Sequence, residues 1–357
     1  MTDRIRPEIQ ALSAYGVPAT GDHIKLDAME NPWPWPDDAL RAKWLERLAD
    51  VSANRYPDPR APELAARLRA HMGLADDQAL LLGNGSDELI QLITLALARP
   101  GACVMAPEPT FVMYRMIATF CGVDFQPVPL TADFALDVDA FVAAMVEHDP
   151  AVVYLAWPNN PTGNLWPRAD VEAVIEAAPG LVVIDEAYQP FADDSFIGDL
   201  GRWPHVVVLR TLSKLGLAGL RLGALAGPPA WLDEIDKLRL PYNINVLTQA
   251  SAEFALEHFD TLAAQAAGIR AERARMAADL EGHDALEVFP SDANFLLVRL
   301  REGDAVGAFE ALLAAGIRVK CLHGSHPALA GCLRLTIGTP AENRALEQAL
   351  TAYLATV

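Results

Sequence analysis

A lysine, Lys214, stands where its amine could act as a nucleophile. The stretch "RTLSKLGLAGLRLG" (210–223) follows the apolar run "VVVL" (206–209), so Lys214 comes just after a predicted buried strand, among hydroxyls and glycines. A second cation, Arg221, lies near the end of the stretch. Partial burial beside another cation makes a lysine less basic, and the neutral amine attacks carbonyls. The stretch therefore predicts Schiff-base chemistry, although most lysines lie on a solvated surface.

An anion site is predicted at the turn "GNGSDE" (83–88). Here Gly85, Ser86 and Asp87 begin a predicted helix directly after a strand, and the N–H groups and dipole of a helix N-terminus bind phosphate. Taken alone, the turn is more typical of an ordinary helix start, with Ser86 as N-cap and acidic residues in the first turn. A dinucleotide-binding G-x-G-x-x-G motif would need glycine at Glu88, which disfavours an NAD site.

Two further strand ends carry polar side chains. The turn "WPNNPTG" (157–163) presents Asn160, although Asn-Pro by itself indicates only a turn. The segment "IDEAYQPF" (184–191) puts Asp185 at the end of an apolar strand and Tyr188 just beyond it. A carboxylate there is costly unless a cation or a hydrogen-bond donor pairs with it, so Asp185 needs a partner. A purely structural partner is the simpler interpretation of this motif alone.

Pyridoxal phosphate (PLP) is the ligand whose groups match all four motifs. It carries a phosphate, a pyridine nitrogen that makes the ring an electron sink when protonated, a phenolic oxygen and an aldehyde that reacts with amines. The predicted contacts are Gly85, Ser86, Asp87, Thr211, Ser213 and Arg221 for the phosphate, Asp185 for the nitrogen, Asn160 and Tyr188 for the phenolic oxygen, and Lys214 for the aldehyde. No metal site is predicted.

The elements that position these residues are predicted from hydrophobic periodicity. Short apolar runs alternate with amphipathic, helix-like stretches; the runs span 79–83, 102–106, 123–128, 151–156, 181–185, 205–210 and 222–227. This alternation predicts an α/β fold with a mostly parallel seven-stranded sheet, covered by helices on both faces, whose carboxyl edge collects the polar motifs.

A second, smaller α+β domain with its own core is predicted after about residue 245, where alanine-rich helices and then three strand-like runs follow. The Pro- and Trp-rich first 40 residues cannot form a domain alone and are expected to pack on that part of the chain. We therefore expect a large PLP-binding domain at 42–255 and a small domain made of 1–41 and 256–357.

The composition indicates a globular protein that acts on small molecules. The net charge of −19, from 47 acidic and 28 basic residues, disfavours nucleic acid and anionic membranes as partners. With no signal-peptide core and no apolar run of about 18 residues, a cytoplasmic protein is expected. The cysteines lack metal or redox spacing and are expected to be buried free thiols; they are Cys103, Cys121, Cys321 and Cys332.

The motifs "PNNPTG", "DEAY" and "RTLSKLGLAGLRLG", in this order, closely resemble those of the fold-type I aminotransferases. Further matching stretches are "LDAMENPWP", "RYPDP", "GNGSDELIQL", "PTFVMYRM", "LPYNIN", "NFLL" and "CLRLTIG", so the resemblance spans essentially the whole chain. It is nearest to the members that act on histidinol phosphate. It implies ping-pong transamination between L-histidinol phosphate and 2-oxoglutarate in histidine biosynthesis, by a homodimer with shared active sites. Lys214 would then act as general base and acid.

The resemblance also implies roles for five further residues. Tyr56 of "RYPDP" would reach the cofactor phosphate of the neighbouring subunit, and Phe111 of "PTF" would stack on the pyridine ring. Arg334 of "CLRLTIG" would bind the anionic end of the substrate, and Tyr15 would help to hold the substrate phosphate. Asn31 would line the substrate pocket.

The chain departs from the family pattern in two places. The interval from Lys214 to Arg221 is one residue shorter than the commonest spacing, and Phe111 stands where many relatives have tyrosine. Two rival activities use the same fold: an aromatic or broad-specificity amino-acid aminotransferase, with Arg334 on a carboxylate, and a phosphothreonine decarboxylase. A regulator with an embedded aminotransferase-like domain would need an added, basic DNA-binding module, for which this chain has neither the length nor the charge.

Overall fold

The computed structural model describes residues 4–14, 16 and 21–356. The strands are β1 (Ile24–Lys25), β2 (Ala79–Gly83), β3 (Cys103–Glu108), β4 (Asp124–Pro129), β5 (Val152–Ala156), β6 (Leu181–Asp185), β7 (Val206–Thr211), β8 (Gly223–Gly227), β9 (Leu286–Val288), β10 (Phe295–Leu300), β11 (Ile317–Arg318), β12 (Lys320–Cys321) and β13 (Cys332–Thr336). The α-helices are α1 (Pro7–Gln10), α2 (Asp38–Ala49), α3 (Pro62–Met72), α4 (Ser86–Leu97), α5 (Met113–Cys121), α6 (Val138–His148), α7 (Arg168–Ala177), α8 (Pro229–Asp236), α9 (Val246–Glu257), α10 (Phe259–Glu281), α11 (Ala305–Ala314) and α12 (Pro340–Leu354).

The seven predicted strands form one sheet in the order β2-β8-β7-β6-β5-β3-β4. β8 runs antiparallel to both of its neighbours, and the pairs from β7 to β4 are parallel. The central strands β5 and β6 are buried at every residue, as a sheet covered on both faces requires. The predicted α/β fold with a mostly parallel seven-stranded sheet is confirmed.

Alternate residues of each central strand face different layers of helices. In β6, Val183 packs with the side chains of α4, α5 and α8, whereas Val182 and Ile184 face the layer that includes α3, α6, α7 and α10. Burial of each such side chain contributes roughly 1.5–3 kcal/mol. These two layers fix the sheet, and with it the loops at its carboxyl edge.

The C-terminal part of the chain forms a four-stranded antiparallel sheet, β12-β13-β10-β9, which packs with α10, α11 and α12. Its core is continuous with one face of the large sheet, so the expectation of a separate core is wrong. The cause is α10, whose buried Leu262 and Met276 belong to this shared core. The N-terminal segment does pack here, since β1 pairs in parallel with β11.

The four cysteines are free thiols, as predicted. Cys103 and Cys332 are buried, but Cys121 and Cys321 are only half-buried, so the expectation that all four are buried is wrong. In the part of the chain that the structure describes, no helix is both long and apolar enough to cross a membrane.

Candidate active site

Polar side chains from successive strand ends line one cavity at the carboxyl edge of the large sheet. Because β8 is antiparallel, its first residues lie at the same edge, and the segment before it also reaches the cavity. The lining residues are Met29, Ser86, Asp87, Phe111, Ala156, Asn160, Asp185, Ala187, Tyr188, Thr211, Ser213, Lys214 and Arg221. Apart from Gly85, which directly precedes Ser86, the structure therefore brings together the residues that the four motifs predicted. Met29, Ala156 and Ala187 also line the cavity, and no role was predicted for them.

Lys214 lies in a short 3-10 turn, Ser213–Leu215, directly after β7. Its Nζ is 3.5 Å from the carbonyl oxygen of Ala28 and 5.6 Å from the centre of the Tyr188 ring. Burial, followed by the positive charge of Arg334, lowers the pKa of Lys214 to about 8. Arg221 also lowers this pKa, as the sequence predicted, but less than Arg334 does. At pH 7 about a tenth of the amine is neutral, against less than one in a thousand for an ordinary lysine.

The lowered pKa of Lys214 predicts how the rate of its reaction with an aldehyde changes with pH. The neutral fraction, and with it the rate of PLP attachment to the cofactor-free chain, should rise about tenfold per pH unit up to about pH 8 and then level off. Stopped-flow absorbance measures this rate, with N-acetyl-lysine as a control whose rate keeps rising. A protein rate that also rises tenfold per unit through pH 9 would contradict the lowered pKa.

Asp185, at the end of β6, accepts hydrogen bonds from two donors, as a buried carboxylate requires. Its Oδ2 accepts a hydrogen bond from the hydroxyl of Tyr114 at 2.7 Å, and its Oδ1 accepts one from the backbone N–H of Ala187 at 3.0 Å. Burial raises the pKa of Asp185 to about 6, and these two hydrogen bonds oppose that rise. The carboxyl group is therefore mostly ionised at neutral pH and faces a cavity.

The predicted anion site combines a helix N-terminus with hydroxyls and a cation. Helix α4 begins at Ser86 with Gly85 as its N-cap, so the alternative with Ser86 as N-cap is wrong. Arg221 lies between Ser213 and Asp87, with Nη1 3.5 Å from Ser213 Oγ and Nη2 3.6 Å from Asp87 Oδ2. The shortened interval after Lys214 thus still brings Arg221 to the cavity, where it adopts a left-handed backbone conformation with φ of 51°.

Gly223 allows the start of β8 to pass close behind the anion site. A Cβ on Gly223 would lie 2.7 Å from both the carbonyl carbon of Gly85 and the backbone nitrogen of Ser86. We expect Gly223→Ala to push the turn before α4 out of place, to weaken PLP binding at least about tenfold and to lower stability by about 1–3 kcal/mol. Gly219→Ala is the matched control, because nothing lies within 4 Å of its Cβ. Equal PLP affinity in both variants, measured by equilibrium titration, would contradict this role of Gly223.

Arg334 connects the small sheet to the cavity. This buried arginine of β13 donates from Nη1 to Asn160 Oδ1 at 2.7 Å and from Nη2 to the carbonyl oxygen of Asp27 at 2.9 Å. Its guanidinium carbon also lies 5.5 Å from the centre of the Phe295 ring. The residue predicted to bind the substrate anion is thus held beside Asn160, which lines the cavity.

The remaining predicted residues are placed differently from one another. Phe111 lines the cavity and meets Tyr114 edge-on, with ring centres 5.5 Å apart. Asn31 donates from its amide to the carbonyl oxygen of Leu215 at 3.0 Å, so it holds the backbone next to Lys214. Tyr56 is 80% exposed and stacks on another aromatic ring outside the cavity. Tyr15 lies outside the described residues.

The cavity suits PLP group by group. A half-buried amine of lowered basicity, an ionised buried carboxylate and an anion site share one lining with the ring of Phe111. A buried carboxylate that faces a cavity at a cost in solvation is what a protonated ring nitrogen requires. No other cofactor that the sequence suggested uses all of these groups.

The fold and this site define a class of protein. The chain belongs to the aminotransferases of class I and II, a family that matches residues 22–350. It is 53% identical over 348 residues to histidinol-phosphate aminotransferase 2 of Nitrosococcus oceani, a match that covers 98% of this chain and 96% of that protein. It is 54% identical over 349 residues to histidinol-phosphate aminotransferase of Chromobacterium violaceum, covering 98% and 97%.

A solved structure supports the same assignment. Histidinol-phosphate aminotransferase from Sinorhizobium meliloti, in complex with pyridoxal-5'-phosphate, matches with a TM-score of 0.85 and 27% identity, over 99% of this chain and 98% of that one. The resemblance to fold-type I aminotransferases that the motifs predicted is confirmed.

Proposed function

We propose that this protein is a PLP-dependent histidinol-phosphate aminotransferase. It transfers the amino group of L-histidinol phosphate to 2-oxoglutarate and gives imidazole acetol phosphate and glutamate, a step of histidine biosynthesis. The observation that carries the reaction type is the single cavity in which Lys214, Asp185 and the anion site at Arg221 meet. The choice of substrate is supported by the full-length relatives at 53% and 54% identity.

Each side chain has a physical task in this reaction. When bound, PLP supplies a protonated aromatic ring that withdraws electrons from the amino-bearing carbon of the substrate. Nζ of Lys214 removes the proton from that carbon and later returns a proton, which its pKa of about 8 suits near neutral pH. Asp185 holds negative charge at the ring nitrogen, and Asn160 and Tyr188 hydrogen-bond the phenolic oxygen.

Arg334 binds the anionic end of each substrate in turn. Its planar guanidinium group can pair with the phosphate of histidinol phosphate or with a carboxylate of glutamate, because both present two oxygens at similar spacing. Its hydrogen bonds to Asn160 and to Asp27 hold the group in place. One arginine therefore serves both halves of the reaction.

An absorbance spectrum of the purified, PLP-loaded protein tests the proposal. L-histidinol phosphate added without a keto acid should remove the visible band of the bound cofactor, and 2-oxoglutarate should restore it. If the band responds only to an aromatic amino acid, the reaction type stands and the substrate is wrong. Release of carbon dioxide from phosphothreonine would favour the decarboxylase instead, and the lack of any band after PLP addition would refute the cofactor.

We further propose that the active form is a homodimer in which Tyr56 completes the partner's site. Support comes from the 80% exposure of Tyr56, outside the cavity of its own chain. Lys214→Ala and Tyr56→Ala chains, each impaired alone, should regain activity when they are unfolded and refolded together, because each hybrid dimer then holds one intact site. Random pairing predicts about a quarter of the wild-type activity. No regain in verified hybrid dimers would show that the sites are not shared.

We also infer the remaining organisation from these features. A division into a large domain at 42–255 and a small domain at 1–41 and 256–357 is supported by the two main sheets, which use separate stretches of chain. A cytoplasmic location is supported by the proposed biosynthetic role on small, charged metabolites.

A further inference from the structure

Tyr114 is a buried tyrosine behind the cavity, and the sequence motifs predicted no role for it. It lies in the first turn of α5, three residues after Phe111, so the two side chains share one face of the chain. Its hydroxyl donates to Asp185 Oδ2 at 2.7 Å, and its ring meets Phe111 edge-on at 5.5 Å. On its other side the ring stacks on Tyr154, with ring centres 4.7 Å apart and planes inclined by 10°.

We propose that Tyr114 is a positioning residue for the cofactor ring: its hydroxyl keeps Asp185 ionised and fixes the orientation of the carboxylate, while its ring supports Phe111. This inference rests on the proposed function, because it assumes that Asp185 and Phe111 contact PLP. Tyr114 then supports two residues that contact the cofactor: Asp185 at the ring nitrogen and Phe111 at the ring face.

The electrostatics around Asp185 show why such a donor is needed. The charged groups near it are Asp87, on α4, and Glu186, the next residue in the chain, together with Lys214 and Arg221 in the cavity lining. Burial and, less strongly, both neighbouring carboxylates raise the pKa of Asp185 to about 6, and the hydrogen bond from Tyr114 is the strongest of the effects that oppose this rise. A hydrogen bond to the charged form favours that form, so Tyr114 stabilises the carboxylate.

Tyr114 is also suited to its role because it remains a donor. Burial and the nearby charge of Asp185 raise its own pKa well above the usual value, so the phenol keeps its proton at any physiological pH. The stack on the ring of Tyr154 fixes the ring of Tyr114. The donor therefore has a fixed direction.

Tyr114→Phe tests this role with a matched control. The cofactor-free full-length chain is titrated with pyridoxine 5'-phosphate, which lacks the aldehyde and so does not react with Lys214, between about pH 5 and about pH 9. Affinity should fall on the acid side as Asp185 takes up a proton, with a midpoint near pH 6 in the wild type. In Tyr114→Phe the midpoint should move up by about one pH unit or more. Tyr154→Phe also removes a buried hydroxyl but one without contact to Asp185, and its midpoint should not move.

The outcomes separate this inference from the proposed function. A shift in Tyr114→Phe alone supports it, and no shift, or an equal shift in both variants, overturns it. A wild-type chain that binds neither PLP nor the probe refutes the proposed function and this inference with it. Should Tyr114→Phe fail to fold, the wild-type hydroxyl proton of Tyr114 is followed by NMR, assigned by its change in Asp185→Asn. Its resonance should move as Asp185 titrates, and a resonance that ignores this titration overturns the inference.

Discussion

Lys214→Ala should stop transamination, with kcat at least about 10⁴-fold below that of the wild type, because one amine serves as the cofactor's attachment point and as the group that moves the proton. Lys214→Arg should be as inactive, since a guanidinium keeps the positive charge but has no neutral form near neutral pH. Initial rates with L-histidinol phosphate and 2-oxoglutarate measure the loss. Retention of more than a few per cent of the activity would contradict the role of Lys214.

Controls show that the activity is lost because the amine of Lys214 is missing and not because the protein is misfolded. Lys237→Ala changes an exposed lysine that pairs with Glu234 at the surface, and its activity should stay within about twofold of the wild type. Lys214→Ala should remain folded, because removal of a desolvated ammonium group relieves a cost. After borohydride reduction, mass spectrometry should find the cofactor mass on the Lys214 peptide of the wild type and on no peptide of Lys214→Ala.

The sheet was predictable from sequence because its strands are buried on both faces. Such strands give uninterrupted apolar runs, and the run at 181–185 coincides with β6. The polar residues at the strand ends then had to meet, because parallel strands end at one edge. The direction of β8 was not predictable, since an apolar run has no polarity of its own.

The partners of the site residues were harder to predict than the site itself. The sequence required a partner for Asp185, and the partner is the neutral Tyr114, which lies 71 positions away in the chain. The effect of Arg334 on Lys214 was equally hidden in the sequence: Arg334 lowers the pKa of Lys214 more than Arg221 does, although Arg221 is much nearer along the chain. Hydrophobic periodicity locates buried surfaces, but it does not tell which side chain of another element meets a given group.

Asp185→Asn should lower kcat about 10²–10³-fold, because the amide has nearly the shape of the carboxylate but carries no charge to match a protonated ring nitrogen. The hydroxyl of Tyr114 can still donate to the amide oxygen, so the pocket should keep its form. Steady-state rates measure the loss. Asp199→Asn is the control, since Asp199 pairs with Arg168 outside the cavity and Arg168 keeps its second partner, Asp194; this control should lose less than about half of its activity.

The stability of Asp185→Asn should change in the opposite direction to its activity. The folded-state pKa of Asp185, about 6, lies above its ordinary value of 3.8, so the ionised carboxylate destabilises the folded, cofactor-free chain. This cost is absent below about pH 3.8, grows as the pH rises and is complete above about pH 6. Calorimetry of the cofactor-free chains should therefore find Asp185→Asn more stable than the wild type at neutral pH, with a difference that shrinks as the pH falls toward 3.8. A carboxylate that destabilises the folded chain at the pH of catalysis is retained for the charge that it brings to the cofactor site. If Asp185→Asn is instead less stable than the wild type at neutral pH, the carboxylate of Asp185 stabilises the fold and this interpretation is wrong.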